Sequence, residues 1–162
     1  MLSSHASILE SRQLVWPDEA ACAAWARQLA QQAAIKNASI ELQGDLGAGK
    51  TTFVRHLLHA LGVQGRIKSP TYTVVESYTL PDADETAVSH FDFYRFNDAR
   101  EWADAGLRDL YAARGLKLAE WPQKVAGALP EPDLRLLIEV QQDEQRRVTA
   151  QACSQRGLAL LS

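Results

Sequence analysis

The sequence predicts an α/β domain built on a mixed, partly antiparallel sheet. Helix and strand signals alternate in its first half, β-rich runs come in pairs in its second, and 162 residues suit one domain spanning 1–162. With 46% hydrophobic and 23% charged residues the composition is that of an ordinary folded protein, which excludes disordered, collagen-like and coiled-coil classes.

Taken in order, Ala20 to Ala34 reads as a helix, with Asp18 as its N-cap after Pro17 and Glu19 early in its first turn. Ala38 to Gln43 is a short strand, followed by the glycine-rich Gly44 to Gly49 and a helix over Lys50 to Leu61. In that helix Phe53, Val54, Leu57, Leu58 and Leu61 fall on one face of a 3.6-residue period, and Gly62 stops it. Thr71 to Tyr78 and Ala87 to Phe93 form a hairpin around the polar turn Pro81 to Glu85. Asn97 to Tyr111 is helical with Gly106 interrupting it, and Leu116 to Trp121 is a strand ended by Pro122. Leu134 to Val140 and Arg147 to Cys153 make a second antiparallel pair, with Leu158 to Leu161 closing the chain.

Seventeen basic against twenty acidic residues, net −3, leave no global field for a nucleic-acid backbone, so any RNA contact is local or made through another protein. Cys22 and Cys153 have no metal or redox spacing and read as small buried hydrophobes of a reduced compartment. No stretch has the length and apolarity of a membrane span, and a cytoplasmic protein with no membrane partner is expected.

The chemistry concentrates in Gly44-Asp45-Leu46-Gly47-Ala48-Gly49-Lys50-Thr51, a complete G-x-x-x-x-G-K-T phosphate loop between a strand and an amphipathic helix. A polyphosphate needs several backbone N–H groups pointing inward at once. Glycines permit that by adopting dihedrals closed to other residues, and the helix N-terminus adds free N–H groups and partial positive charge. Lys50 then reaches the β- and γ-phosphates, the Thr51 hydroxyl ligates Mg²⁺, and Thr52 continues the phosphate contact. ATP and Mg²⁺ are the expected cofactors. In this setting the α/β pattern becomes a P-loop NTPase-like three-layer domain.

Such a site also needs a carboxylate at a strand end, and both Asp92 and Glu120 qualify. One is expected nearer the metal and one nearer the attacking water. Lys68-Ser-Pro-Thr-Tyr-Thr73 follows the loop helix; taken alone it reads as an ordinary Ser-Pro turn, with a switch-loop threonine at Thr71 that senses Mg²⁺ and the γ-phosphate as the alternative.

Gly44-Asp-Leu-Gly-Ala-Gly-Lys-Thr-Thr52, Lys68-Ser-Pro-Thr-Tyr-Thr73, His90-Phe-Asp-Phe-Tyr-Arg95, Gly106-Leu107 and Ala119-Glu-Trp-Pro122 occur in the order and spacing of the bacterial TsaE (YjeE) ATPases. The chain resembles that family over nearly its whole length. It departs where Ala119 stands for a larger aliphatic and around Arg146 and Arg147, which align only with a gap. The resemblance implies an ATPase needed for threonylcarbamoyladenosine at position 37 of tRNA. It would act with the TsaD and TsaB proteins rather than transfer the group itself, would reach tRNA only through that complex, and would hydrolyse ATP slowly, with TsaC supplying the threonylcarbamoyl adenylate. It implies ATP contacts from Gly44 to Thr52, Mg²⁺ ligation by Thr51 and Glu120, an essential acidic role for Asp92, a place near the nucleotide for Glu19, and a link to activity for Trp121.

Other features read as structural. His56 and His59 lie three apart on a polar helix face without a third ligand, His90 shares a strand side with Asp92 and suits a core hydrogen bond or the orienting of Asp92, and Arg95 suits a phosphate, a partner or a surface ion pair. A small-molecule kinase on the same loop lacks an arginine-rich lid insertion. A guanine-nucleotide switch lacks Asn-Lys-x-Asp, Thr-Lys-x-Asp and Asp-x-x-Gly segments. An ATP-gated adaptor whose hydrolysis is incidental stays open.

Overall fold

Seven strands among the described residues share one sheet: Glu10–Trp16 (β1), Ser39–Gln43 (β2), Val75–Thr79 (β3), Ala87–Asp92 (β4), Leu116–Glu120 (β5), Leu134–Val140 (β6) and Arg146–Ala152 (β7). The structure is a computed structural model and describes residues 7–70, 73–97, 100–104 and 106–162. Strand order is β1-β7-β6-β2-β5-β4-β3. The centre is parallel, with β2 paired to β5 and β6 and β4 paired to β5; the outer pairs β1–β7, β6–β7 and β3–β4 are antiparallel. The mixed sheet foreseen in the sequence is thus a parallel core with antiparallel flanks.

Period-two alternation divides the core into two faces. Ile40, Leu42, Leu116, Leu118, Leu134, Leu136 and Ile138 pack with Leu29 of Glu19–Ala30 (α1), Phe53, Leu57 and Leu58 of Lys50–Ala60 (α2), and Leu160 and Leu161 of Gln155–Leu161 (α5). On the other face Phe91, Phe93, Ala119 and Val125 pack with Trp102 of Arg100–Asp104 (α3) and with Leu107 and Tyr111 of Leu107–Ala112 (α4). This makes three layers. Phe53 stacks on Trp16 at 6.0 Å between ring centres and lies 5.8 Å from Trp25, so one aromatic cluster joins β1, α1 and α2.

Local chemistry explains most boundaries. The Asp18 carboxylate accepts from the Ala21 N–H at 3.0 Å and starts α1. The helix ends at Ala30 rather than Ala34, because the chain tightens into a 3-10 turn, Ala33–Asn37, that buries Ile35. Gly62 takes φ +102 just beyond α2, as a helix stop requires. The hairpin strand starts at Val75, later than expected; Thr71 and Tyr72 lie outside the described residues.

Two elements carry no assignment of type from the sequence. β1 escapes periodicity because its Glu, Ser, Arg and Gln side chains face solvent and only Trp16 of the strand is buried. The closing segment is a helix: the Ser154 hydroxyl accepts from the Gly157 N–H at 3.0 Å and starts a turn that a four-residue apolar run cannot announce. Among the described residues no helix is long and apolar enough to cross a membrane.

α5 approaches the sheet so closely that a Cβ at Gly157 would lie 1.9 Å from the Asp133 carbonyl oxygen. Gly157→Ala should therefore destabilise the protein by about 1–3 kcal/mol despite the better helix propensity of alanine, read by urea unfolding. Unchanged stability would show that α5 docks with slack.

Candidate functional site

The site forms where β2, β4 and β5 end beside the N-terminus of α2. β2 delivers Gly44, whose missing side chain is required by packing: a Cβ there would sit 2.6 Å from the Ile138 carbonyl oxygen. Gly47 and Gly49 are required instead by backbone shape, at φ +80 and +114, with nothing crowding either position. Between them the Ala48 N–H donates to the Asp45 carbonyl at 3.0 Å, and Gly49 leads into α2.

Lys50, the first residue of α2, is buried. Its ammonium donates to the carbonyls of Gly44 and Asp45, the latter at 3.0 Å, and lies 4.4 Å from the centre of the Trp121 ring. Burial pulls its pKa below the usual lysine range, against the pull of Glu120, Asp92 and Asp45. The Thr51 hydroxyl is 3.0 Å from both carboxylate oxygens of Glu120 and 2.7 Å from the Ser69 hydroxyl. Glu120 is 2% exposed, and its Oε2 lies 2.6 Å from Nε2 of His90, itself fully buried.

Asp92 pairs across the sheet with Glu120, but its carboxylate turns to the chain ahead and accepts from the Tyr94 N–H at 3.0 Å. Burial raises its pKa above the ordinary carboxylate range; the Tyr94 hydrogen bond opposes the shift and Glu120 adds to it. The two carboxylates thus occupy different settings: among the described residues Glu120 is tied to Thr51 and His90, and Asp92 to the Tyr94 N–H alone.

A cavity of about 570 Å³ opens over this arrangement. Leu46, Gly47, Gly49, Lys50, Thr51, Thr52, Asp92 and Glu120, all foreseen in the sequence, line it with Ser69, Tyr94, Arg95, Trp121 and Arg146. Gly44 and Asp45 lie beneath it and hold the Lys50 ammonium through their carbonyls. Glu19 and Ala48 do not line it. They line an adjoining cavity of about 140 Å³ with Trp16, Cys22 and Glu144; Gly49, Thr52 and Arg146 border both spaces. Cys22 there is inert, its thiol pushed up to about 12 chiefly by burial.

Arg146 acquires a role that the sequence did not reveal, and His90 makes the core hydrogen bond that was one of its two expected roles. Arg146, on β7, donates to the Ala48 carbonyl from Nε at 3.0 Å and to the Gly47 carbonyl from Nη2 at 3.3 Å, tying the glycine loop to a strand almost a hundred residues away. His90 bonds Glu120 rather than orienting Asp92, because the diagonal across β4 and β5 brings it to the next residue on that face. Its alternation with Asp92 was the available signal; Arg146 had none. His56 bonds Glu19 at 2.8 Å and His59 lies 3.0 Å from the Gly65 carbonyl, and no cluster of three or more His, Cys, Asp or Glu among the described residues could hold a metal unaided. A hydroxyl beside one carboxylate is instead the donor set of a site completed by phosphate oxygens and water, which suits Mg²⁺.

A strand, glycine loop and helix at the end of a parallel strand, inside a three-layer mixed sheet, define a P-loop NTPase-like protein. The profile of a family described as threonylcarbamoyl adenosine biosynthesis protein TsaE matches residues 16–148, and the chain belongs to the TsaE family. It is 40% identical over 123 residues to the tRNA threonylcarbamoyladenosine biosynthesis protein TsaE of Haemophilus influenzae, covering 76% of this chain and 75% of that one. The protein of that name from Bacillus subtilis is 35% identical over 120 residues, 72% and 71% of the two chains. The crystal structure of Bacillus subtilis YdiB superposes with a TM-score of 0.75 at 27% identity, over 94% of this chain and 92% of that one.

The Asp92 setting has a measurable consequence. A raised folded-state pKa means the folded protein binds this proton more tightly than the unfolded chain, so stability falls as pH rises through the ordinary carboxylate range and up to the folded value. Asp92→Asn keeps an oxygen for the Tyr94 N–H and removes the desolvated charge. It should raise the melting temperature of the ligand-free protein at pH 7, with the gain vanishing at a pH well below about 3.9. A melting temperature at pH 7 no higher than wild type would contradict the burial cost assigned here.

Proposed function

We propose that residues 1–162 act as one ATPase domain, which binds ATP with Mg²⁺ over the loop Gly44 to Thr52 and hydrolyses it slowly. The observation that carries this reading is the placement of Lys50, Thr51 and Glu120 at one end of a cavity floored by the glycine loop. The loop amides and the N-terminus of α2 receive the phosphates. Lys50 exchanges two carbonyl partners for the β- and γ-phosphates, and a desolvated ammonium gains more from phosphate than a hydrated one.

Thr51 and Glu120 hold Mg²⁺, which when bound offsets the charge that develops on the phosphate oxygens. Asp92, one strand over and among the described residues bonded to the Tyr94 N–H alone, orients the attacking water and accepts its proton; a carboxylate with raised pKa is the better base. The adjoining cavity beside Glu19 gives the rest of the nucleotide room on the far side of Gly49 and Thr52.

The relatives' names support a part for this chain in the making of threonylcarbamoyladenosine in tRNA. In that process the protein serves TsaD and TsaB in the cytoplasm and contacts tRNA only through them, in keeping with a net charge of −3. Turnover by the isolated protein is slow, and the partners complete or position the site.

Lys50→Ala should weaken ATP binding about tenfold or more, as expected for losing charge-assisted hydrogen bonds, and abolish phosphate release. Calorimetric titration and a phosphate-release assay read the two effects, and unchanged hydrolysis would refute the site. Asp92→Asn and Glu120→Gln should lose turnover more than nucleotide binding, and equal loss of both would remove the roles given them. Reconstitution with TsaC, TsaD, TsaB and tRNA tests the partners: modification that continues through repeated turnovers without this protein would contradict its place there.

A further inference from the structure

We infer that His90 is a positioning residue that holds the Glu120 carboxylate in the rotation needed to take the divalent cation. This rests on the nucleotide and metal reading above and adds to it a residue that touches neither nucleotide nor cation. Leu118 stands directly opposite His90 in the β4–β5 register, so the imidazole reaches diagonally to the next residue on that face, Glu120. The two carboxylate oxygens are then unequal. Among the described residues Oε2 takes both Nε2 of His90 at 2.6 Å and the Thr51 hydroxyl at 3.0 Å, whereas Oε1 has the Thr51 hydroxyl alone, at 3.0 Å.

With Oε2 pinned from the core side, Oε1 is the oxygen left to face a cation. When Thr51 turns its hydroxyl oxygen to the cation, His90 remains as a hydrogen-bond partner of Glu120. Nδ1 of His90 is buried with no hydrogen-bond partner among the described residues, a cost that the imidazole carries for its bond to Glu120. A buried imidazole kept for one bond to a metal-binding carboxylate is an orienting device.

The test measures Mn²⁺ affinity of the ADP complex by electron paramagnetic resonance, and ADP affinity in chelator, for wild type, His90→Leu and His90→Gln. Glutamine places its amide N–H near the position of Nε2. His90→Leu should lose about tenfold or more in Mn²⁺ affinity with ADP binding in chelator unchanged, and His90→Gln should stay near wild type. Wild-type Mn²⁺ affinity in His90→Leu, an equal fall of ADP affinity in chelator, or an equal loss in His90→Gln would each overturn the inference. If His90→Leu does not fold, the Nε2-bound proton of wild-type His90 followed by ¹⁵N-correlated NMR decides. Its persistence when Mg²⁺ and ADP are added supports the role, and its disappearance overturns it. Wild-type protein whose ADP affinity ignores divalent cations would fail earlier, refuting the metal site and this role together.

Discussion

Parallel pairing of β5 between β2 and β4 brings the Glu120 carboxylate against the first turn of α2, and the rest of the site is arranged around that contact. Moving a lysine, a glutamate and a histidine out of water is costly unless each is paired, and here each has a partner, though among the described residues Nδ1 of His90 has none. Lys50 has loop carbonyls and the face of Trp121, while Glu120 has Thr51 and His90. These partners are of the kind a phosphate and a cation can replace. The side chains of the site are therefore arranged for charge.

The glycine loop is held from three directions. Gly44 presses on β6 at Ile138, the Ala48 N–H closes a turn onto Asp45, and Arg146 of β7 grips two carbonyls from outside. Arg146 so couples the antiparallel flank of the sheet to the chemistry at its parallel centre. It also separates the two cavities, bordering each.

Trp121 follows Glu120 directly and sits in the left-handed region at φ 58, ψ 47, where a bulky residue costs of order 1–3 kcal/mol. The strain turns its ring back over Lys50 and against Tyr94, 5.0 Å away between ring centres, before Pro122 leads the chain off the sheet. The second aromatic cluster, Phe91, Phe93, Trp102 and Tyr111, backs this corner from the opposite face. Packing of that cluster supports the backbone that carries Asp92 and Tyr94.

Much of this was legible in the linear chain because it is local. The phosphate loop, its strand and its helix are contiguous, Asp18 and Gly62 mark helix ends by their own chemistry, and apolar spacing identified the buried face of α2. What is non-local was not legible. β1 hides its strand character because one side of it meets water, and α5 is too short to show a period. Glu19 belongs with the smaller cavity rather than the larger, a placement set by the packing of α1 on α2 that no spacing encodes. The residues by themselves determined which groups carry chemistry, since phosphate and cation binding need particular atoms at fixed intervals. Strand register and sheet order decided which carboxylate meets Thr51, which imidazole holds it and which arginine clamps the loop, because those contacts join segments that only folding brings within hydrogen-bond reach.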